Sequence, residues 1–177
     1  MQGIRANRWK RITLEIIPII LFVILIVLDQ VSKNFYKELY LKNGQTMVID
    51  GFFYLTYTVN TGAAWSFLSE VSWAQTFFKV LTVFSLVLFV FLYAYAFKNK
   101  YSWMKYSLAF VVGGTIGNFI DRLSFGGVTD FLSFVFGEYN FPVFNLADTF
   151  LVVGVIMLII HFLFLDEGAL FKKENGK

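Results

Sequence analysis

The sequence predicts an all-α polytopic membrane protein: a bundle of four transmembrane helices with a small β-structure on its outer side. Three observations lead there. Hydrophobic residues make up 58% of the 177-residue chain and charged residues only 15%, against about 45–50% and about 25% in soluble domains. The apolar residues gather into four runs close to the roughly 20 residues that a helix needs to cross a bilayer core. Lysine and arginine are biased to one side of the membrane that these runs define.

Residues 12–28, from Ile12 to Leu28, form the first run, with Thr13 and Glu15 as polar exceptions. Pro18 lies inside it, which a membrane helix tolerates. The basic start (Arg5, Arg8, Lys10, Arg11) would also suit a cleaved signal peptide. However, Asp29-Gln30-Val31-Ser32-Lys33 follows, not a small-x-small cleavage site, so an uncleaved span is expected. Residues 34–76 then make a long outer loop. Its stretch from Thr46 to Val59 is rich in β-branched and aromatic residues and holds an Asp50-Gly51 turn signal, which predicts the outer β-structure. Trp65 and Trp73 suit the headgroup region. Residues 80–97 are an uncharged second span. Residues 106–120 are a shorter third, with Lys105 expected to snorkel and Asn118 to Arg122 to finish the helix at the interface. The second outer loop, residues 122–147, contains Gly126-Gly127 and Pro142, and residues 149–165 are the fourth span. No internal repeat or low-complexity tract divides the chain, so residues 1–177 read as a single membrane domain.

With the N-terminus inside, the inner segments carry ten basic and four acidic residues, and the outer ones five basic and eight acidic. Lys98, Lys100 and Lys105 lie in the inner turn, and Lys172, Lys173 and Lys177 in the inner C-tail. The net charge of +3 is therefore a topology signal, and no nucleic-acid partner is needed to explain it. The chain has no cysteine and a single histidine, His161. This removes thiol nucleophiles, disulfides and Cys-ligated metals, and argues against a His-based metal site or a His-activated serine. No metal or other cofactor is called for, and acid–base chemistry is left to the twelve Asp and Glu residues.

The topology brings three polar clusters to the outer boundary: Asp29 at the end of span one; Asn118, Asp121 and Arg122 at the end of span three; and Asn145 and Asp148 at the start of span four. Ionisable residues at membrane depth are costly and are functional candidates by default. Each cluster also has a structural reading. Asp29 and Lys33, four apart, would pair at a helix end. Gly113 and Gly117 form a small-xxx-small step that lets a helix approach closely. Asn145 with Asp148 resembles a capping box. Asp130 is a loop aspartate among apolar neighbours. His161 lies about 20 Å below Asp148 along a helix and cannot serve the same site. Ser32 beside Lys33 is a weak dyad signal, because adjacent helical residues diverge by about 100°. Two nearby carboxylates share a proton. The ionised one takes a proton from a water molecule that attacks a peptide carbonyl, and the protonated one supports the oxyanion and the leaving nitrogen. Spacing leaves open which two of Asp121, Asp130 and Asp148 form the pair. A second class, a small proton-coupled multidrug-type exporter, would rest on Glu15 in the first span, although such a protein needs its acid near the bilayer midplane.

Five blocks carry a family resemblance: Asp29-Gln30-Val31-Ser32-Lys33; Asn60-Thr61-Gly62-Ala63-Ala64-Trp65; Gly113 to Arg122; Val128-Thr129-Asp130-Phe131; and Phe144-Asn145-Leu146-Ala147-Asp148. In this order they resemble the motifs of lipoprotein signal peptidase, the type II signal peptidase of bacteria. The resemblance implies an aspartic endopeptidase in the bacterial cytoplasmic membrane, with both termini cytoplasmic and the active site at the outer face. It implies removal of the signal peptide from diacylglyceryl-modified prolipoproteins, just before the lipidated cysteine. The substrate would enter sideways from the bilayer, with its lipid still among membrane lipids. The family's catalytic pair falls on Asp130 and Asp148. Asp29, Asn60, Gly62, Asn118, Asp121, Arg122 and Asn145 would line or brace the site. In this reading the amides and Arg122 hold substrate carbonyls and Asp121 orients Arg122. The β-segment would be a platform beside the bundle, and the stretch after Asp130 through Glu138 and Tyr139 a mobile flap.

Overall fold

The structure is a computed structural model that describes residues 2–62 and 71–166, with side chains from Glu15 onward. Trp65 and Lys172, Lys173 and Lys177 lie outside the described residues, as do Ala63 and Ala64 and the side chains of Arg5, Arg8, Lys10 and Arg11.

Helix α1 (Gln2–Asn43) is continuous over 42 residues and passes through a buried Pro18. At about 1.5 Å per residue it is roughly twice as long as a bilayer core is thick. Asp29 and Lys33 are therefore interior helix residues, and the expected end at Leu28 is corrected. The sequence after them holds no glycine or proline until Gly44, which ends the helix at φ +71°. A hairpin follows, β1 (Thr46–Ile49) and β2 (Phe53–Asn60), turning at Asp50-Gly51 as expected. Gly51 there takes φ +66°, which costs a residue without Cβ little. Helices α2 (Ala74–Lys98) and α3 (Ser102–Ser124) come next. They are followed by β3 (Val128–Phe136), β4 (Tyr139–Asn140), α4 (Leu146–Ile160) and a π-helical turn over His161–Leu165.

The sheet is antiparallel in the order β1-β2-β3-β4. Half of it comes from the segment read as a second loop. Val128 to Phe136 is rich in β-branched and aromatic residues and pairs along β2, with Thr58 opposite Asp130 and Asn60 opposite Val128. Aromatic stacking fixes it in place. Tyr36 of α1 lies on Phe131 at 4.6 Å and Phe53 on Phe134 at 4.6 Å. The chain is thus mostly helical with a small sheet, rather than purely α.

Among the described residues, three helices are long and apolar enough to cross a membrane: Glu15–Asn43, Ala74–Lys98 and Leu146–Leu165. Their outward side chains, such as Val27, Phe84, Phe91 and Ile156, are exposed apolar groups. Helix α3 is not among them. It packs against the other three and buries residues from Met104 to Asp121. Close approach explains the glycines. A Cβ at Gly113 would stand 3.0 Å from Leu25 Cβ, and one at Gly117 would stand 2.5 Å from Asp29 Oδ2, so this small-residue step faces α1. Gly114 meets the Ala147 carbonyl of α4 in the same way. Lys105 does not snorkel. It is 1% exposed and pairs with Glu15 at 2.7 Å, tying α3 to α1. A cluster of Ala96, Met104 and Leu108, with Phe89 and Leu158 against it, closes the end of the bundle away from the sheet. His161 is buried at that end, 4.8 Å from the Tyr101 ring.

Candidate active site

Backbone pairing sets the frame. Phe144 bridges Leu132 of β3: its carbonyl accepts from the Phe131 and Leu132 N–H groups, and its own N–H donates to Leu132. This seats the start of α4 against β3. Asn145 then caps α4. Its side chain accepts from the Asp148 N–H at 2.9 Å, and its own N–H donates to Asp148 Oδ2 at 3.1 Å. The capping reading of this pair is correct in full. The cap also reaches further, because the Asn145 amide donates to Asp130 Oδ1 at 2.7 Å. One side chain therefore contacts both aspartates.

Each aspartate receives a second amide. The Asn118 Nδ2 donates to Asp148 Oδ1 at 2.7 Å, and the Asn60 Nδ2 donates to Asp130 Oδ2 at 3.2 Å. Asn60 reaches Asp130 because they are diagonal neighbours on one face of the β2–β3 pair. The Asn60 Oδ1 accepts from the Gly62 N–H at 2.9 Å, and the Gly62 carbonyl lies 3.5 Å from Arg122 Nη2. The Arg122 guanidinium rests 5.4 Å over the Phe78 ring, and its buried Nε meets no hydrogen-bond partner among the described residues. Arg122 thus keeps donor capacity toward the cleft.

A cavity of about 1210 Å³ opens onto these groups. Asn60, Gly62, Asn118, Arg122, Asp130 and Asp148 line its polar end. Leu81 and Phe89 of α2, Val111 of α3, and Leu151 and Val155 of α4 line its apolar depth. Val155 is two turns of α4 below Asp148, about 10 Å. The cavity can therefore hold a polar backbone at one end and apolar groups beneath it.

Asp29, Asp121 and Asn145 stand behind the lining, with 0%, 2% and 0% exposure. Asp121, expected to orient Arg122, makes no ion pair with it among the described residues. It accepts instead from Gln30 Nε2 at 3.0 Å and from the Thr129 N–H at 2.9 Å, and it lies 3.3 Å from Lys33 Nζ. Asp29 pairs with Lys33 at 2.8 Å and accepts from the Ala147 N–H at 3.0 Å. Lys33, Gln30 and Thr129 are the participants that the sequence reading did not place in the site. The Asp29-x-x-x-Lys33 spacing was the available signal, and it suggested a pair at a helix end.

Burial raises the Asp130 carboxyl from 3.8 to about 7, and the neighbouring Asp148 charge pushes it the same way. The amides of Asn145 and Asn60 and the charge of Lys33 oppose this only in part. At neutral pH Asp130 therefore holds a proton for a substantial share of the time. Asp148, at the first turn of α4, is only partly buried and faces the cavity.

A family model for signal peptidase (SPase) II matches residues 21–164. Among curated relatives, the lipoprotein signal peptidase of Enterococcus faecalis is 42% identical over 164 residues, 92% of this chain and 97% of that one. The lipoprotein signal peptidase of Bacillus pumilus is 42% identical over 144 residues, 81% of this chain and 90% of that one. A bacterial membrane enzyme solved by the in meso method at 2.3 Å resolution has TM-score 0.69 and 31% identity, covering 90% of this chain and 94% of that one. These matches support the peptidase expectation and lend none to the exporter. Glu15, on which the exporter would depend, is bound to Lys105.

Proposed function

The chain belongs to the signal peptidase II family, and from that premise we propose that it is an aspartic endopeptidase whose catalytic pair is Asp130 and Asp148. Its substrates are prolipoproteins already carrying diacylglycerol, and the bond cut precedes the lipidated cysteine. One observation carries the reading: two carboxylates at the polar end of a single cleft, each held by an amide and joined through Asn145. Asp121, the third candidate, is engaged behind the cleft with Lys33, Gln30 and Thr129.

Burial of Asp130 beside the Asp148 charge supports one assignment of the protons. With Asp130 protonated near pH 7, Asp148 is the base that takes a proton from water. The resulting hydroxide attacks the scissile carbonyl. Asp130 donates toward the developing oxyanion, and its proton passes to the leaving nitrogen. In this reading the Gly62 backbone and the Arg122 guanidinium, both lining the cleft, bind the extended substrate chain. The apolar depth of the cavity suits substrate side chains or acyl groups entering between α2 and α4, which join through the cluster at the far end.

Helix α3 completes the set of four spans in this proposal. It is short of apolar residues because its neighbours shield it from lipid. The whole chain acts as one membrane domain, with termini on the cytoplasmic side and the sheet and site at the outer face of the bacterial cytoplasmic membrane. The flap of this proposal is the stretch after Asp130 through Glu138 and Tyr139, which holds most of the β3–β4 hairpin.

The test is cleavage of a diacylglyceryl-modified prolipoprotein by the purified protein. Asp130→Asn and Asp148→Asn are each expected to abolish cleavage while remaining folded. Full activity in either variant would sink the assignment. A dead Asp121→Asn beside an active Asp130→Asn would move the pair to Asp121 and Asp148.

A further inference from the structure

We infer that Lys33 is a positioning residue for this reaction: with Asp29 and Asp121 it forms one buried ion cluster that fixes Asp130 and Asp148 relative to each other. The inference rests on the dyad reading above.

The geometry is paired. Asp121 Oδ2 accepts the main-chain N–H of Thr129, the residue before Asp130, at 2.9 Å. Asp29 Oδ1 accepts the main-chain N–H of Ala147, the residue before Asp148, at 3.0 Å. The other oxygen of Asp29 and the same Oδ2 of Asp121 lie 2.8 and 3.3 Å from Lys33 Nζ. One ammonium therefore joins two carboxylates, and each carboxylate holds the backbone beside one catalytic residue. The third donor of Lys33 goes to Asn118 Oδ1 at 2.9 Å, which also accepts from Asn145 at 3.1 Å. With its oxygen held from two sides, the Asn118 amide can only present Nδ2 to Asp148, at 2.7 Å. Lys33 has three donors and three acceptors in reach. It is 3% exposed and does not line the cavity, so it does not touch substrate and acts through its neighbours.

Buried charge explains why a lysine is needed. Asp29 and Asp121 are both fully enclosed, and two such carboxylates without a cation would repel each other and one would protonate. A protonated carboxyl has one fewer acceptor, and a backbone clamp would loosen. A displacement of about 1 Å at a reacting group can cost on the order of 10²-fold in rate. The Lys33 charge also acts on Asp130 across the cluster and lowers its carboxyl.

The experiment uses the purified full chain with a diacylglyceryl-modified prolipoprotein peptide. Wild type, Lys33→Met and the double variant Lys33→Met/Asp29→Asn are compared for kcat, KM and the pH profile of kcat. Folded fraction is followed by thermal unfolding in the same detergent. Asp130→Asn and Asp148→Asn are run alongside. The expected result is a kcat loss on the order of 10²-fold with KM changed far less. Should Lys33→Met fail to fold, the double variant, with one buried carboxylate removed, is the one expected to hold. Wild-type kcat in either folded variant overturns the inference. So does a kcat loss that only tracks the folded fraction. Failure of both variants to fold also overturns it, since the cluster would then be required for folding and not for positioning. Activity in Asp130→Asn or Asp148→Asn would remove the dyad reading itself, whatever the Lys33 variants do.

Discussion

Asp130→Asn should reverse its effect on stability between acid and alkaline pH. In the folded chain the carboxyl is raised from 3.8 to about 7. The native state therefore keeps a proton that the unfolded chain releases above about pH 4. Stability falls as pH rises through that window, and above pH 7 ionised Asp130 costs the fold on the order of 4 kcal/mol at about 1.4 kcal/mol per pH unit. Asparagine never ionises and escapes this cost. It introduces another, since Asn145 and Asn60 both donate to Asp130 and an amide can accept only on one side. An amine facing a buried donor costs about 1–3 kcal/mol. At pH 4, where wild type has lost only about 0.6 kcal/mol of this proton-linked stability, the variant should therefore be less stable than wild type by roughly 0.5–2.5 kcal/mol. At pH 8 it should be more stable by roughly the same amount, the remainder of the two opposing effects. For a chain of this size each kcal/mol is about 2–4 °C in Tm. Thermal unfolding of both proteins in one detergent, at pH 4 and pH 8, reads the crossing. A Tm difference that does not change with pH would refute the argument, because it would mean that Asp130 titrates normally in the folded chain.

The remaining predictions concern other parts of the same structure. Asn118→Asp replaces the Nδ2 donor facing Asp148 by an oxygen, and should lower kcat by on the order of 10²-fold in the prolipoprotein cleavage assay. Gly114→Ala would drive a methyl group into the Ala147 carbonyl and to 2.9 Å from Leu151 Cγ. Because α4 must move, a loss of about 1–3 kcal/mol is expected in thermal unfolding. Activity should fall too, since Ala147 precedes Asp148. Lys105→Met strands Glu15 and should destabilise by about 3–5 kcal/mol at most, less to the extent that Glu15 reaches solvent. Adding Glu15→Gln should restore most of the lost Tm, and no restoration would show that the pair does not act as a unit.

How much of this was legible in the sequence depended on which environment each residue meets. Runs in contact with lipid are read from composition alone, so the centres of α1, α2 and α4 were predictable. The outer third of α1 was not. Residues after Leu28 mix polar and apolar types, and only packing of Tyr36 and Tyr40 on Phe131 and Tyr57 keeps them helical beside the sheet. β3 was missed for the opposite reason. Val128 to Phe136 carries the β-branched and aromatic signal, but it sits between spans where apolar residues are expected anyway. At the site, the motif blocks identified Asp130, Asp148, Asn118 and Asn145, and the structure brings these four together. The partner of Asp121 was misjudged because its sequence neighbour Arg122 is nearer in the chain, while Lys33 is nearer in space. Spacing along one helix cannot report a contact between helices.

The weakest of the four apolar runs belongs to the most buried helix, and the two facts have one cause. A side chain of α1, α2 or α4 that faces outward must be apolar if lipid surrounds it, and the exposed faces of these helices are so. Helix α3 has neighbours on three sides, so its side chains meet protein, and polar groups there can be satisfied by partners. Its polar residues are accordingly directed at specific acceptors and donors: Asn118 at Lys33, Asn145 and Asp148, and Asp121 at Gln30, Lys33 and Thr129. Its glycines remove the side chains that would hold α1 and α4 away from those groups. Helix α3 is thus less apolar than α2 and α4 because it carries polar side chains of the site. In a bundle of this kind the helix that composition identifies least well is the first place to look for the chemistry.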